Sequence, residues 1–572
     1  MASVAAAAQV AGGPPVPSPG ATFSSRSELV LVPVIVHDHN GAAVHNLSRE
    51  DFIVTENGKE QKISTFEEIR PTNAPVAPLK SVMVQAAAES GQKSGATFFT
   101  NARPADFAPR RINIVVIDTL NTAQFDQTLA TKALMQFLEQ TATDDELTTV
   151  LQLHQGGLKV IYDFTTDRKV LAKAMDLLKT HPELMSGKDA SGIYATMPDS
   201  MAAYLAQGIT MSLQEMGESI DTQLRQNEAI ETTLESLRAI SRAYAGIPGR
   251  KSLLWLTGGF PFLLTQINQP QFPGMAMGSG IANRGFELDF SRVFNELNSA
   301  NIAVYPIDAR GLVVVAAEPS RGPQKAPVGG MTPLSRMEAT LNASLSNANN
   351  DKITTLMTFA AATGGQAFFN TNDIHSAIQR ADQDSASYYV LGYYIRHEGA
   401  KGWRSLAVKV KQPGMRIRSR AGYFLVKETQ ASAEEQRIRD VAKALSSPFD
   451  YTSFHFSVRW NGISGPDASG KKTIKFAMLL DKDSMTIDDA DSQHLDLDIV
   501  AVASDSAANA TGQIAKKLQG HLTPDYAKKI LSTGLAYDSE FALAPGQYVV
   551  KFVVRDNISG RVGSVSAPLS VN

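Results

Sequence analysis

The sequence predicts a multidomain fold of the α/β plus β class. A doubly wound, mostly parallel sheet is flanked by a small N-terminal β unit and a C-terminal β-sandwich. The chain has 572 residues, which is more than one hydrophobic core usually organises. After Arg110, apolar strands alternate with amphipathic helices, the pattern of a parallel sheet. After Tyr451, short strands of alternating polarity follow one another with turns between them, as in a β-sandwich.

Changes in composition and periodicity divide the chain into seven segments. The predicted segments are a disordered tail or signal-peptide remnant (1–27), a small β unit (28–70), a linker (71–108), the α/β domain (109–397), a β-hairpin (398–426), a helical linker (427–450) and the β-sandwich (451–572). The tail has no basic residue before Arg26, so Val4–Val10 is only a weak signal-peptide core. We also hypothesise that the hairpin and the small β unit pair, which would insert the α/β domain between them.

The small β unit carries strand and turn signals in alternation. Glu28–Val36 is an apolar strand, and His37–Gly41 is a turn that ends in Asn-Gly. Asp51–Glu56 and Glu60–Phe66 alternate in polarity on either side of a second Asn-Gly turn. These signals predict an antiparallel unit.

The first strand of the α/β domain is Ile112–Ile117, an apolar run that ends at Asp118. Asp118 therefore lies at the carboxyl end of a buried strand, where open α/β sheets place their ligands. The further predicted strands are Glu146–His154, Leu158–Phe164, Lys251–Leu256, Ile302–Ile307, Ala367–Phe369 and Ser387–Ile395. The predicted helices are Gln124–Gln140, Asp167–Leu178, Leu213–Ala245, Phe290–Ala300, Ile353–Thr363 and Asp373–Ser385. The apolar residues at helical spacing in the first helix are Phe125, Leu129, Ala133, Leu134, Phe137 and Leu138.

The C-terminal part is predicted to be mostly β structure. The hairpin strands are Trp403–Lys411 and Met415–Phe424, and Gln430–Ser446 is a helix. The predicted sandwich strands are Ser453–Trp460, Lys472–Leu480, Leu495–Ser504, Ala515–Leu522, Ser539–Leu543, Tyr548–Arg555 and Val562–Val571.

Composition and motifs exclude several classes of function. A net charge of −3 gives no field that favours nucleic acid or an anionic membrane, and no apolar run approaches the ~20 residues of a transmembrane helix. The absence of cysteine excludes disulfides, thiolate catalysis and cysteine-ligated zinc. The sequence contains no zinc-protease motif, no serine-nucleophile elbow and no phosphate-binding glycine loop with lysine. We therefore find no set of residues in the sequence that indicates an enzyme active site.

Several short segments of the sequence resemble those of the von Willebrand factor A-related family that is abundant in Acidobacteria. They are Ile117–Thr122, Gly246–Lys251, Leu254–Pro261, Ala361–Gly365, Tyr388–Tyr393 and Arg420–Phe424, with Asp51–Gly58 and Ala544–Tyr548 nearer the ends. The resemblance covers nearly the whole chain after the tail. It implies a von Willebrand factor A-like arrangement of the α/β domain.

That resemblance implies a metal-ion-dependent adhesion site, which this chain carries in degenerate form. The family pattern is Asp-x-Ser-x-Ser, and it binds Mg²⁺ or Mn²⁺ through hard oxygen ligands. Asp118 matches the first carboxylate and Thr122 the second hydroxyl, but Leu120 stands at the first hydroxyl position. The third loop should supply an aspartate and reads Thr257-Gly258-Gly259, and Thr196 is the one threonine near the expected distal position. The alternative is that Asp118 and Thr122 cap the helix that follows.

Two other clusters suggest ligands. His37, His39 and His45, with Asp38, could hold a metal or supply a hydrolase, but a polar hairpin tip is the preferred interpretation. An acidic run near residues 481–498 predicts either an irregular calcium loop or a solvated edge. Its members are Asp481, Asp483, Asp488, Asp489, Asp491, Asp496 and Asp498.

These observations favour a non-enzymatic, exported protein-binding or adhesion protein without a cofactor. Its location is expected to be extracytoplasmic, that is periplasmic, secreted or at the cell surface. A protein ligand is expected at three long loops, His181–Gly208, Phe260–Asn283 and Gly311–Asn350, because recognition usually lies on loops of a rigid scaffold. One alternative is a module that binds its ligand through Mg²⁺ or Mn²⁺ held by Asp118 and Thr122. The other is a hydrolase built from the histidine turn.

Overall fold

The computed structural model describes twelve stretches of the chain. They are residues 28–70, 98–101, 111–140, 146–165, 213–260, 287–311, 352–371, 373–395, 402–425, 430–488, 493–505 and 509–572. Within these stretches, no helix is both long and apolar enough to cross a membrane. The predicted helix at 167–178 lies outside the described residues.

The described residues form five sheets and seven α-helices. The strands, numbered along the chain, are β1 (Glu28–His37), β2 (Phe52–Glu56), β3 (Lys59–Gln61), β4 (Thr65–Ile69), β5 (Phe98–Thr100), β6 (Arg111–Asp118), β7 (Glu146–His154), β8 (Gly157–Thr165), β9 (Lys251–Thr257), β10 (Ile302–Asp308), β11 (Tyr388–Ile395), β12 (Gly402–Val410), β13 (Arg416–Ser419), β14 (Gly422–Leu425), β15 (Phe456–Pro466), β16 (Lys472–Leu480), β17 (His494–Ser504), β18 (Ala510–His521), β19 (Leu535–Leu543), β20 (Gly546–Asp556) and β21 (Val562–Val571). The helices are α1 (Gln124–Gln140), α2 (Leu213–Tyr244), α3 (Glu287–Ser299), α4 (352–363), α5 (Ile374–Ala386), α6 (Gln430–Ser446) and α7 (Pro524–Thr533).

The central sheet has the strand order β10-β9-β6-β7-β8. Four strands are parallel, and the edge strand β8 is antiparallel to β7. Counted within the domain, the order is 3-2-1-4-5, which is that of a doubly wound sheet. The strand order reverses between β6 and β9, so the crevice for a ligand opens where Asp118 and Thr257 end these two strands. The sixth predicted strand, Ala367–Phe369, is reduced to one parallel bridge between Ile307 and Phe368.

β11 does not belong to the central sheet, although the predicted α/β domain ran to residue 397. It lies antiparallel between β1 and β4, where Gly392 pairs with both Leu31 and Thr65. One face of β11 carries Tyr394, which is half exposed. A strand with one partly exposed face suits an antiparallel sheet better than the buried centre of a parallel one.

A β subdomain is built from chain segments on both sides of the α/β domain. Its two sheets have the orders β13-β1-β11-β4 and β14-β12-β2-β3. β1 pairs with β13 and β2 pairs with β12. These pairings place the segment 398–426 and the N-terminal β unit in the same two sheets. Between the sheets, Glu56 accepts hydrogen bonds from Tyr393 and Tyr423 and forms an ion pair with Arg404.

The C-terminal part is a sandwich of two four-stranded sheets, β19-β16-β15-β5 and β18-β17-β20-β21. Phe476 and Phe552 from the two sheets meet in its core with ring centres 5.0 Å apart. The three residues of β5, which lie in the predicted linker 71–108, form an edge strand on β15. Directly after β5, the Asn101 amide donates to the carbonyl oxygens of Tyr451 (2.6 Å) and Phe454 (2.8 Å).

Helix α7 was absent from the sequence prediction, although its start signals are present. Thr523 accepts a hydrogen bond from the backbone N–H of Tyr526, and Pro524 occupies the first turn. A threonine cap followed by proline is a common helix start. The helix buries only Ala527 and Ile530, so its apolar pattern is too short to be recognised by periodicity.

The amino end of β9 holds a buried lysine. Lys251 is 1% exposed, and its ammonium donates to the carbonyl oxygens of Ile247 (2.6 Å) and Gly249 (3.0 Å), just after α2. These bonds satisfy backbone acceptors where the helix ends. Burial lowers the pKa of Lys251 to about 7.

The buried lysine predicts a specific pH dependence of stability. Because its folded pKa lies below the ordinary value of 10.5, the unfolded chain binds one more proton between these values, and stability rises with pH across that window. We expect a slope of up to about 1.4 kcal/mol per pH unit in urea denaturation. Lys251→Met should remove this slope, whereas Lys409→Met, at an exposed position, should keep it. Equal slopes in wild type and Lys251→Met would contradict the prediction.

Candidate functional site

The candidate site lies at the switch point, between the ends of β6 and β9. Asp118 is 1% exposed there, and the hydrogen-bond donors to its carboxylate among the described residues are uncharged groups. The indole Nε1–H of Trp255 (3.0 Å) and the hydroxyl of Thr257 (2.8 Å) donate to Oδ2. The backbone N–H of Asn121 donates to Oδ1 (2.9 Å), and its side-chain amide lies 3.0 Å from Oδ2.

The electrostatics of Asp118 follow from this burial. Burial raises the pKa of the carboxyl group, and the hydrogen bonds from Asn121, Thr257 and Trp255 oppose the rise. The net direction is upward, so burial outweighs the donors. The same donors satisfy the carboxylate within the protein.

Thr122 joins the loop after β6 to the loop after β9. Its hydroxyl accepts a hydrogen bond from the backbone N–H of Gly258 (2.7 Å), and its carbonyl accepts one from the Gln127 amide (2.7 Å). The Asp118 carboxylate bonds to Asn121 of its own loop and to Trp255 and Thr257 of β9, and the Thr122 hydroxyl bonds to Gly258 after β9. In these described contacts, neither side chain caps the start of α1.

At two positions where the resemblance implies a metal ligand, the chain has Leu120 and Gly258, and packing explains both residues. Leu120 is 5% exposed and belongs to the hydrophobic core on one face of the central sheet. A Cβ atom added to Gly258 would lie 2.9 Å from the Asn121 carbonyl oxygen and 3.1 Å from the Thr122 Cα. The loop therefore approaches so closely that a carboxylate side chain does not fit there. Thr196 lies outside the described residues.

The residues at this corner do not fit a hard divalent ion. Mg²⁺ requires oxygen ligands in a nearly octahedral arrangement. A tryptophan N–H can only donate, and the indole of Trp255 already donates to Oδ2 of the Asp118 carboxylate. Across the described stretches, no group of three or more His, Asp or Glu side chains is placed to hold a metal. The sequence did not predict that Trp255 donates a hydrogen bond to Asp118. A buried tryptophan usually needs a hydrogen-bond acceptor for its N–H, but the sequence does not show which residue supplies it.

A second charged cluster lies at the same edge, where β10 ends. Asp308 is 1% exposed and pairs with Arg310 through both oxygens, at 2.9 and 2.7 Å. Burial raises the pKa of Asp126, at the start of α1, and Arg310 opposes the rise. Burial lowers the pKa of Lys352, at the start of α4, to about 8. The cluster therefore combines two cations and two acids at one edge of the central sheet.

Helix α1 exposes apolar side chains beside this edge. Phe125 is 76% exposed and Leu129 is 41% exposed, whereas Leu134 and Met135 are buried. Residues four apart in a helix are neighbours, so Phe125 and Leu129 form one apolar stripe. The sequence analysis counted both residues among the apolar residues that form the buried face of this helix. In the structure they lie outside the core.

The histidine turn is an ordinary polar turn in the structure. The Asp38 carboxylate accepts backbone N–H groups of Asn40 (2.8 Å) and Ala42 (2.9 Å). Burial lowers the pKa of His37, and His45 Nδ1 lies 3.1 Å from the Glu68 carboxylate. The side chains therefore have separate neighbours and do not converge on one point.

The acidic run is likewise divided among separate partners. Asp496 pairs with Lys517 (3.3 Å), and Asp498 pairs with Arg437 (2.7 Å). Asp481 accepts a hydrogen bond from the Ser484 hydroxyl (3.2 Å). Asp489 and Asp491 lie outside the described residues.

Comparisons with known proteins give distant similarities only. No family model matches the chain, and no curated protein matches it in sequence. The TFIIH p34 N-terminal domain is similar over 35% of this chain and 80% of that chain, with 12% identity and a TM-score of 0.17. The human COPII-coat protein Sec24c is similar over 63% of this chain and 51% of that chain, with 10% identity and a TM-score of 0.23. The fold assignment therefore rests on the strand order and pairing of the central sheet.

Proposed function

We propose that the protein is a non-enzymatic, exported binding or adhesion protein with a von Willebrand factor A-like domain. It would capture a protein ligand at the carboxyl edge of the central sheet without a bound metal. The supporting observation is the carboxylate of Asp118, which is fully engaged by Trp255, Thr257 and Asn121. A carboxylate satisfied in this way has no need of an ion.

The course of the chain supports this edge as the binding surface. Phe260 follows β9 and Gly311 follows β10, so the described chain stops at this edge in both places and resumes at residues 287 and 352. The expected recognition loops His181–Gly208, Phe260–Asn283 and Gly311–Asn350 lie outside the described residues, apart from Phe260 and Gly311 themselves. Long connections on a rigid sheet are the usual location of recognition.

The described residues at the edge supply both kinds of contact that a protein ligand needs. Phe125 and Leu129 offer an exposed apolar stripe. Arg310 and Lys352 bring positive charge beside it, partly balanced by Asp308 and Asp126. An aromatic anchor with a polar surround is the composition of a typical interface centre.

The test is ligand capture from native extract by the immobilised full chain, with bound proteins quantified in the presence and absence of chelator. The double variant Phe125→Ser, Leu129→Ser should lose at least about tenfold of the specific capture, because aromatic anchors dominate binding energy. The control Ile438→Ser changes another exposed residue, on α6, and should bind as wild type does. Chelator should have no effect.

Two results would contradict the proposal. Equal capture by the double variant and the control would remove this edge as the binding surface. Heat of Mg²⁺ or Mn²⁺ binding that is present in wild type and absent in Asp118→Ala would favour the metal-dependent alternative. The proposed export has a separate test, since fractionation that finds the chain only in the cytoplasm would contradict it.

A further inference from the structure

A cavity lies between α4 and the β subdomain, away from the edge of the central sheet that carries the candidate site. Its volume is about 470 Å³, within the range of small-molecule sites. Its walls are mainly apolar, with Met357 and Ala361 on the helix side and Leu406, Val408 and Ile417 on the strand side. We refer to this cavity as the α4 groove.

Arg420 lines the α4 groove, and it is buried with no ionic partner among the described residues. It is 8% exposed, and its Nε–H has no hydrogen-bond partner. Among the described residues, two tyrosines lie near its guanidinium: the ring centre of Tyr423 is 5.7 Å from the guanidinium carbon, and Tyr393 is the other. By contrast, the buried guanidiniums of Arg404 and Arg555 each meet a carboxylate.

An arginine in this situation is unusual for a physical reason. The guanidinium remains protonated in proteins, so burial cannot neutralise it, and a buried charge normally requires an opposite charge nearby. Burial lowers the pKa of Arg420, as expected for a cation that no carboxylate stabilises. The cation of Arg418, which also lines the groove, is already paired with Asp384.

The backbone holds Arg420 in a fixed place. The N–H of Ala421 donates to the Ala361 carbonyl oxygen near the end of α4 (2.8 Å). A Cβ atom on Gly364 would lie 2.9 Å from the Arg420 nitrogen, so only glycine permits this approach. The helix and the strand segment are thus locked together, and the groove between them is preformed.

We propose that the α4 groove binds a small carboxylate with an apolar body, of the fatty-acid type. Its carboxylate pairs with the guanidinium of Arg420, and its hydrocarbon lies against Leu406, Val408 and Ile417. An apolar cavity with one well-placed charged group is the usual composition of such sites. Arginine matches a carboxylate through two parallel hydrogen bonds, which gives both strength and orientation.

The test uses the full chain and titration calorimetry with octanoate, with the neutral octanol as a probe of equal length. We expect saturable one-to-one binding of octanoate and at least tenfold weaker binding of octanol. Arg420→Met should weaken octanoate binding by at least tenfold and leave octanol binding unchanged. Arg416→Met removes an exposed arginine from the same strand segment and should bind as wild type does.

A stability measurement separates ligand binding from a purely structural role. Without ligand, Arg420→Met should melt at the same temperature as wild type or higher, because the variant removes a buried charge that lacks a partner. A lower melting temperature together with unchanged octanoate binding would overturn the proposal. So would absent octanoate binding in wild type, or equal binding of octanoate and octanol. The comparison of octanoate with octanol on wild type decides the question even if Arg420→Met fails to fold.

Discussion

Replacing Gly258 with aspartate, the residue type that the family pattern expects in this loop, is expected to destabilise the α/β domain severely rather than to create a metal site. A Cβ atom at this position would lie 2.9 Å from the Asn121 carbonyl oxygen. The added carboxylate would also enter a corner where Asp118 is already buried. Overpacking costs about 1–3 kcal/mol, and burial of an unpaired charge adds several more. We expect a loss of more than about 4 kcal/mol in free energy of unfolding.

Gly258→Ala is the matched control, because it adds the Cβ atom without the charge. Its expected loss is about 1–3 kcal/mol in urea denaturation. The difference between the two variants then measures the contribution of the second carboxylate. A Gly258→Asp protein that keeps wild-type stability and binds Mg²⁺ would contradict this expectation and show that the loop can open to admit a metal ligand.

The second large effect is expected at Asp440, which connects the α/β domain to the sandwich. This carboxylate, on α6, accepts hydrogen bonds from Arg242 of α2 (2.8 Å) and Arg555 of β20 (3.1 Å). Arg238 lies 3.7 Å away, and Glu296 of α3 pairs with both Arg238 and Arg242. Removal of Asp440 would leave the buried cluster with an excess of positive charge.

Asp440→Asn should therefore lower the free energy of unfolding by about 3–5 kcal/mol, the effect of breaking a buried ion pair. Trp255 lies in the α/β domain and Trp460 in the sandwich, so variants that keep one tryptophan report on each part separately. We expect the two reporters to unfold together in wild type and at different denaturant concentrations in Asp440→Asn.

Glu434→Gln is the control on the same helix, since Glu434 is more than half exposed and its ion pair within the described part of the chain is with Arg437. Its expected effect is within about 1 kcal/mol. Coincident transitions in Asp440→Asn, with wild-type stability, would show that the charge cluster does not couple the two parts.

The sequence was sufficient for elements with strong local patterns. The apolar run before Asp118 and the apolar Lys251–Leu256 segment correspond to β6 and β9, because buried parallel strands are continuous in hydrophobicity. The prediction that Asp118 lies at the carboxyl end of a buried strand agrees with its position as the last residue of β6. These features depend on residues that are close in sequence.

Other features depend on contacts between distant residues and could not be predicted in this way. β5 has three residues and exists only because Phe99 pairs with Val458, far along the chain. β11 follows α5 directly, as a strand of the central sheet would, but it pairs with β1 and β4. The bond between Trp255 and Asp118, and the lack of a carboxylate beside Arg420, are likewise properties of the folded chain.

The division of the β subdomain has a consequence for biosynthesis. β1 is made early, but its partner β11 begins only about 350 residues later. At ~5–20 residues per second, β1 waits roughly 20–70 s for that partner during translation. Throughout this interval its apolar side chains and unpaired backbone are open to other strands or to chaperones. The subdomain can therefore close only after the α/β domain has been made, so β1 is synthesised before that domain but pairs with its partners after it.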